Sequence, residues 1–212
     1  KVIVLSRFQN LKKKNISFKK CNINNEKDLN KIIKGIKKKS LTSIYCVAGI
    51  INEKDDIYLN SSIKQTIFNT NFISISNICQ KLITQNKIKN NGLICFCSSV
   101  STLFPRSKQI YYTASKMALN SFYNSLLSTT KKNNLNIRVA NLILGFLDTK
   151  MNSGKKTFFK KSNVNEIAIK LSKKDKNLNG EYYIPNYWRI IKLIFDILPK
   201  KLIFYLINKL NL

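Results

Sequence analysis

Three side chains near the middle of the sequence have types and spacing that suit proton transfer. Ser99, Tyr112 and Lys116 lie in the stretch FCSSVSTLFPRSKQIYYTASKMALNSF. A tyrosine has a pKa of about 10, so it exchanges protons poorly near neutrality unless a nearby cation favours the phenolate. A lysine four positions along a helix supplies that cation, and a serine hydroxyl can donate to an oxygen that becomes negative. The set therefore suits protonation of an alkoxide as a hydride reaches a carbonyl carbon.

The spacing of Tyr112 and Lys116 is weak evidence by itself, because lysine is abundant in this chain. Tyr205 and Lys209 repeat the spacing near the end of the sequence. No serine lies thirteen residues before Tyr205, and no small residues follow it. We therefore expect only the first pair to take part in chemistry.

Composition excludes several other kinds of site. Histidine is absent from the 212 residues, which excludes Ser-His-Asp and Cys-His catalysis and the common histidine-containing zinc sites. No metal site is expected. The cysteines form no CxxC motif, and Cys95 and Cys97 share one face of an apolar run. We interpret the cysteines as small core residues of a protein in the reducing cytoplasm.

The formal net charge of +28 would ordinarily indicate a nucleic-acid or membrane partner. The excess is almost entirely lysine, and it accompanies many Asn and Ile residues, which share A/T-rich codons with Lys. The basic residues are also scattered along the chain without a nucleic-acid-binding motif. We expect no nucleic-acid partner, and an anionic membrane surface or a phosphorylated ligand is the alternative interpretation.

The elements that must position these residues alternate between apolar strands and amphipathic helices. Strands are predicted at VIVL, ISFKKCNI, SIYCVAG, GLICFCSS, NIRVANLIL and GEYYIP, and helices near 26–37, 63–83 and 111–131. Strands that are apolar throughout and joined through helices indicate a doubly wound α/β domain with a parallel sheet. Ligands in such folds bind at the carboxyl ends of the strands, which is where Ser99 lies.

The run from Ser99 through YTASK resembles the active site of the short-chain dehydrogenase/reductase family, which carries Ser, Tyr and Lys at this spacing. The resemblance covers essentially the whole chain and implies a Rossmann-like fold and NAD(P)-dependent chemistry on a carbonyl or alcohol. Tyr112 would be the acid–base group, Ser99 would orient the carbonyl, and Lys116 would tune Tyr112 and hold the nicotinamide ribose. The family's catalytic asparagine corresponds to Asn71 in NTNF, with Asn69 as the second choice. It would hold a water that relays protons to the lysine.

The resemblance also implies contacts to the cofactor. CVAGI resembles the family's Asn-Asn-Ala-Gly stretch, keeping Ala48 and Gly49 and replacing both asparagines. LGFLDTKM resembles its Pro-Gly stretch, with leucine for the proline, Gly145 retained, and Thr149 as the residue that binds the nicotinamide carboxamide. KCNI has Asn22 where an aspartate meets the adenine.

The end of the first apolar run bears on which nicotinamide cofactor is bound. An acidic residue there would hydrogen-bond the adenosine ribose and favour NAD(H). This sequence has Ser6 followed by Arg7. A small hydroxyl and a cation suit the 2′-phosphate of NADP(H), which we expect as the cofactor, with NAD(H) less favoured. The alternative is that Arg7 is an ordinary surface residue.

The sequence departs from the family pattern at its beginning. In the family a strand and a glycine-rich, pyrophosphate-binding turn precede the strand that corresponds to VIVL. Here Gly35, Gly49 and Gly92 are isolated, and no glycine-rich turn occurs. We expect an N-terminally truncated enzyme with a gap or altered pairing between VIVL and SIYCV. The alternative is a natural short form that keeps the fold as a non-catalytic binding or scaffold protein.

Residues 188–212 are interpreted as an apolar helical tail, broken at Pro199, that follows a Rossmann-like domain at 1–187. Its apolar stretches are too short to span a bilayer. Either the tail packs over the substrate cleft, or it contacts a membrane with Trp188 and the lysines at the headgroup level.

The tail and ALNSFY resemble most closely the branch that contains the keto-reductase of decaprenylphosphoryl-ribose epimerisation. That resemblance implies a keto-sugar on a polyprenyl phosphate as substrate, and a cytoplasmic location at the inner face of the membrane. Family members pair through the helices that hold Asn71 and Tyr112, so a homo-oligomer is expected.

Overall fold

The computed structural model describes residues 2–7, 14–104, 106, 108–149 and 159–210. Within these ranges the strands are β1 (Val2–Ser6), β2 (Ile16–Lys20), β3 (Leu41–Cys46), β4 (Ile88–Ser99), β5 (Ile137–Leu144) and β6 (Gly180–Ile184). The α-helices are α1 (Glu26–Lys34), α2 (Ser61–Phe68), α3 (Ser74–Thr84), α4 (Ile110–Lys132), α5 (Val164–Lys174), α6 (Tyr187–Ile197) and α7 (Lys200–Leu210).

All strand pairs between these elements are parallel, which confirms the predicted Rossmann-like α/β fold. Strands β3, β4, β5 and β6 form one sheet in that order, and β1 and β2 form a separate pair. No hydrogen-bonded ladder joins β1 to β3 in the described part of the chain, so the expected interruption lies between VIVL and SIYCV.

The carboxyl ends of the neighbouring strands lie side by side. Ser99 at the end of β4 is opposite Leu144 at the end of β5, and Ser6 at the end of β1 is opposite Lys20 at the end of β2. Asn24, which follows β2, links the strand pair to the helical segment at Thr70 and Ser74. Its side-chain amide donates to Thr70 Oγ1 at 2.9 Å, and its oxygen accepts from Ser74 Oγ at 2.7 Å.

The central strand β4 separates two apolar clusters, because alternate side chains point to opposite faces. Ile94 and Phe96 pack against α1, α3 and α4, whereas Cys95 and Cys97 lie in a smaller cluster that includes Leu142 on β5. All five cysteines are buried and free, in agreement with their interpretation as core residues. Helix α4, which contains Tyr112 and Lys116, is therefore held against the more thickly covered face.

Two predicted boundaries differ from the structure. The long helix expected at 63–83 contains a π-helical turn at Asn69–Ile73 that separates α2 from α3. The sequence predicts that this strand starts after the turn signal KNNG, but β4 begins earlier, at Ile88. Asn91, which belongs to that signal, adopts a left-handed conformation (φ 58°) inside the strand. The pairing of β4 with β3 shifts register there. The four residues of KNNG therefore form an irregularity within β4 rather than a turn before it. Helix α5 had not been predicted.

The predicted helical tail and its break at Pro199 agree with α6 and α7. The expectation that Trp188 lies at a membrane headgroup level is wrong, because its side chain is 0% exposed. It packs in a third cluster with Phe104, Ile143 and Phe159. Among the described residues, none of the helices combines the length and apolarity that crossing a membrane requires.

Candidate active site

The start of helix α4 is held by a residue that is distant in the sequence. Gln109 precedes the helix with φ 68° and makes no side-chain cap. Instead the carboxylate of Asp55, 1% exposed, accepts from the N–H groups of Tyr111 and Tyr112, each at 2.8 Å. Its backbone carbonyl accepts from the Gln109 N–H at 2.6 Å. A carboxylate in this position accepts hydrogen bonds from N–H groups that have no partner within the helix, and its negative charge is favoured by the helix dipole. Asp55 therefore fixes the position of the first turn of α4, which contains Tyr112.

Ser99 and Tyr112 are brought together at the carboxyl edge of the sheet. The Ser99 side chain accepts from the Ser101 N–H at 3.1 Å. Thr102 Oγ1 donates to the Ser99 carbonyl at 2.8 Å. The side chains of Ser99 and Tyr112 are both half-buried. The Ser99 hydroxyl lies close enough to the Tyr112 phenol to lower the pKa of that phenol.

Lys116 lies one helical turn after Tyr112 and is 4% exposed. Its Nζ is 5.9 Å from the centroid of the Tyr112 ring and donates to the Cys97 carbonyl at 2.8 Å. A Cβ atom on Gly49 would come within 3.4 Å of this Nζ. The absence of a side chain at Gly49 therefore leaves room around the ammonium group.

Asn71 occupies the π-helical turn and is fully buried. Its Nδ2 donates to the Ile50 carbonyl at 2.9 Å and to Ser115 Oγ at 3.0 Å, and its Oδ1 accepts from the Ile50 N–H at 2.8 Å. The second choice, Asn69, instead accepts from Gln65 on the protein surface. Asn71 thus ties the loop after β3 to helix α4, and a π-turn is a common way to redirect one side chain at a functional site.

Burial dominates the electrostatics of the pair. It raises the pKa of Tyr112, while the Ser99 hydroxyl and the charge of Arg106 act in the opposite direction. Burial also lowers the pKa of Lys116. Ser99 and Arg106 are thus two further groups that favour the phenolate, beside the Lys116 that the sequence assigns to this role.

The residues expected to read the adenosine end lie after β1 and β2. Arg7 is exposed and directly follows Ser6, whose carbonyl accepts from the Cys21 N–H at 2.8 Å. Asn22 is exposed after β2, where its N–H donates to Asp28 Oδ2 at 3.2 Å. These groups lie at the carboxyl ends of the paired strands, in the order expected from the sequence.

The remaining predicted contacts follow β3 and β5. Ala48 and Gly49 are half-buried, as is Thr149. Gly145 donates to the Ile184 carbonyl at 2.8 Å, and a Cβ atom there would come within 2.3 Å of Trp188 Nε1. Packing against the tryptophan therefore requires glycine at this position.

The residues at this edge fit the nicotinamide end of a dinucleotide: a phenol, a hydroxyl and an ammonium converge beside a glycine that leaves space. Two contributors were missed at the sequence level. Asp55 lies 57 residues from Tyr112, so no local pattern connects them. Arg106 was visible only as an arginine in a lysine-rich chain.

A family model described as short chain dehydrogenase matches residues 3–158. The chain belongs to the short-chain dehydrogenase family. It is accordingly an NAD(P)-dependent oxidoreductase by family. No curated protein matches this sequence.

Solved structures share the fold at low sequence identity. A short chain dehydrogenase family protein from Francisella tularensis subsp. tularensis SCHU S4 has a TM-score of 0.76 and 21% identity, over 89% of this chain and 88% of that chain. 4-Hydroxyisoleucine dehydrogenase complexed with NADH and succinate has a TM-score of 0.63 and 17% identity, over 86% and 85%. The same enzyme complexed with NADH has a TM-score of 0.66 and 17% identity, over 86% and 84%.

Proposed function

We propose that this chain moves a hydride between NADP(H) and a carbonyl or alcohol substrate, with Tyr112 as the acid–base group. The observation that carries the proposal is the half-buried Tyr112, whose ring centroid is 5.9 Å from the Nζ atom of the buried Lys116 and whose pKa the Ser99 hydroxyl lowers. The nicotinamide would supply or accept the hydride when bound.

The protein's own residues would handle the proton and the developing charge. The Ser99 hydroxyl donates to the substrate oxygen and orients it. The Tyr112 phenol transfers its proton to that oxygen as the carbonyl becomes an alcohol, so one hydride and one proton are consumed. The Lys116 ammonium stabilises the phenolate that is left, and the proton is replaced through a water held near Asn71. In the oxidation direction Tyr112 accepts the proton instead.

Cofactor binding is assigned to the strand ends. Arg7 and Ser6 would bind the 2′-phosphate, because a guanidinium pairs well with phosphate. Asn22 would contact the adenine. The nicotinamide half would be contacted by Ala48, Gly49, Tyr112, Lys116, Gly145 and Thr149. The structural neighbour that binds NADH supports a nicotinamide cofactor without deciding between the two forms.

A fluorescence titration with NADPH and, separately, NADH tests the cofactor assignment. We expect saturable binding that prefers NADPH, and loss of that preference in Arg7→Ala but not in the exposed control Arg189→Ala. Equal affinity for both cofactors would contradict the role of Arg7.

A second candidate function is a non-catalytic binding or scaffold protein. The sequence contains no glycine-rich turn, and β1 is not joined to β3 in the described residues. Absence of binding to either cofactor in the fluorescence titration would favour this candidate. Saturable binding to either cofactor would support the enzyme.

We also propose a lipid-linked substrate, a keto-sugar on a polyprenyl phosphate, reduced in the cytoplasm at the inner face of the membrane. With Trp188 buried, contact would pass through the exposed apolar side of α6, which contains Ile190, Leu193, Ile194 and Ile197. Arg189 and Lys192 flank that side. Vesicles that contain anionic lipid should bind the chain and should lose it on Ile197→Asp. Binding that survives the substitution would contradict this route.

A homo-oligomer would form through the helices that hold Asn71 and Tyr112. Ile73 and Met117 on these helices are exposed and apolar, which suits a contact between copies. Light scattering should show a dimer or tetramer that dissociates on Met117→Lys; a monomeric wild type would contradict the proposal.

A further inference from the structure

Arg106 lies in the connection between Ser99 and Tyr112 and is not assigned a role by the mechanism above. Its guanidinium Cζ is 5.9 Å from the centroid of the Phe104 ring, and its Nη1 donates to Gln109 Oε1 at 2.8 Å. Gln109 is the residue that precedes helix α4. The guanidinium is therefore held near the start of helix α4 by an aromatic face and one neutral hydrogen bond.

One donor of this guanidinium is buried and unused. The Nε atom of Arg106 has no hydrogen-bond partner within the described residues. The ion pairs seen among those residues join Lys81 to Glu26 and Lys192 to Asp196, so neither involves Arg106. The carboxylate of Asp55, which lies at the same helix terminus, already accepts from two backbone N–H groups.

Arg106 as a whole is half-buried, but its Nε donor is buried, and a buried donor without a partner is costly. Such groups are rare in proteins, and a bound anion is one explanation for them. The charge of Arg106 also acts on its neighbour: it lowers the pKa of Tyr112, and burial lowers the pKa of Arg106 itself. The cation thus lies within electrostatic range of the phenol that would protonate the substrate.

We propose that Arg106 binds an anionic group of the substrate, a carboxylate or a phosphate carried near the reacting carbonyl, and so selects acidic substrates. The inference rests on the proposed function, and it adds the substrate class. The planar guanidinium presents two adjacent N–H donors that match either oxyanion. The net charge of +28 would also attract such a substrate from solution.

The test compares matched carbonyl compounds that differ by one charge: acetoacetate with methyl acetoacetate, and dihydroxyacetone phosphate with dihydroxyacetone. We expect kcat/KM to favour the anionic member of at least one pair by about 100-fold in the wild type, because a buried anion–guanidinium pair is strong. Arg106→Gln should reduce that ratio to about 1, and Arg106→Lys should restore part of it. The pair that shows the preference distinguishes a carboxylate substrate from a phosphate substrate.

Exposed Lys132→Gln removes one positive charge at the far end of the 23-residue helix α4 and should leave the ratio unchanged. A merely structural role of Arg106 would lower kcat/KM for both members of a pair equally, and that outcome would overturn the inference. If neither member is reduced, the proposed activity fails on these compounds, and calorimetric titration with the two anions decides the inference separately. Saturable binding that is lost in Arg106→Gln supports it; no binding, or binding that survives the substitution, overturns it.

Discussion

Two Tyr–Lys pairs in this molecule have the same local geometry and different surroundings. Lys116 Nζ is 5.9 Å from the Tyr112 ring centroid, and Lys209 Nζ is 5.8 Å from the Tyr205 ring centroid. Both pairs lie on helices at a spacing of four residues, which places the side chains on one face. Sequence spacing alone therefore accounts for the internal geometry of both pairs.

The surroundings differ completely. Tyr205 is 59% exposed, and Lys209 is exposed as well. Ser99 and Arg106 both act to lower the pKa of Tyr112. Lys116 is buried and donates a hydrogen bond to the Cys97 carbonyl. Solvent screens an exposed pair, whereas desolvation and fixed neighbours change the pKa of a buried one. The comparison shows that burial and neighbours, rather than spacing, separate a candidate catalytic pair from a surface pair.

The largest effect is expected from removing the phenol hydroxyl of Tyr112, with the removal of that of Tyr205 as the comparison. Tyr112→Phe should lower kcat for carbonyl reduction by about 10⁴-fold, because it removes the proton donor. NADPH affinity should change little. Tyr205→Phe, the matched control, should retain wild-type kcat. Steady-state kinetics on both variants checks the comparison, and equal activity of the two would remove the basis for assigning Tyr112.

The two lysines should differ in both activity and stability. Lys116→Met should lower kcat by about 10³-fold, because the phenolate loses its cation. It should leave the free energy of unfolding equal to the wild type within about 1 kcal/mol, since a buried charge is replaced by a side chain of similar volume. Lys209→Met should leave kcat unchanged. A kcat for Lys116→Met within tenfold of wild type would argue against an electrostatic role.

Ser99→Ala tests the two roles proposed for the Ser99 hydroxyl, as donor to the substrate oxygen and as neighbour of the phenol. It should lower kcat by about 10²-fold, the effect of losing one donor to a developing oxyanion. The Ser99 hydroxyl also lowers the pKa of Tyr112, so its loss should raise that pKa. Alcohol oxidation needs the phenolate, and its pH–rate profile should therefore move to higher pH. Ser98→Ala, the neighbouring control, removes a buried hydroxyl that has no hydrogen-bond partner in the described residues and should leave the profile in place.

The smallest effect is expected at the start of α4. Asp55→Ala should lower the free energy of unfolding by about 2 kcal/mol and kcat by about tenfold, because two N–H groups lose their acceptor and Tyr112 is displaced. The carboxylate of the adjacent Asp56 accepts a single hydrogen bond, from the Tyr58 N–H. Asp56→Ala should therefore lower the free energy of unfolding by about 0.5 kcal/mol and leave kcat unchanged. Urea unfolding with parallel kinetics measures both, and indistinguishable variants would refute the positioning role.

Much of the fold was predictable because local patterns encode it. The apolar run at VIVL became β1, and the periodicity around YTASK became α4 with its tyrosine and lysine on one face. The boundaries that were wrong depend on distant contacts. KNNG was predicted as a turn, but pairing with β3 holds it inside β4, where a register shift accommodates it. Helix α5 was not predicted, and it contributes no fully buried side chain.

The sequence by itself determined the α/β architecture, the family and the spacing of Ser99, Tyr112 and Lys116, because periodicity and short motifs are local properties of the chain. Only the tertiary structure decided that Asp55 caps α4, that Arg106 has a buried donor without a partner among the described residues, and that Trp188 is enclosed by the core. These features depend on contacts between residues far apart in the chain and on the exclusion of water. Neither long-range contacts nor the exclusion of water has a local signature in the sequence, and both affect the pKa of Tyr112.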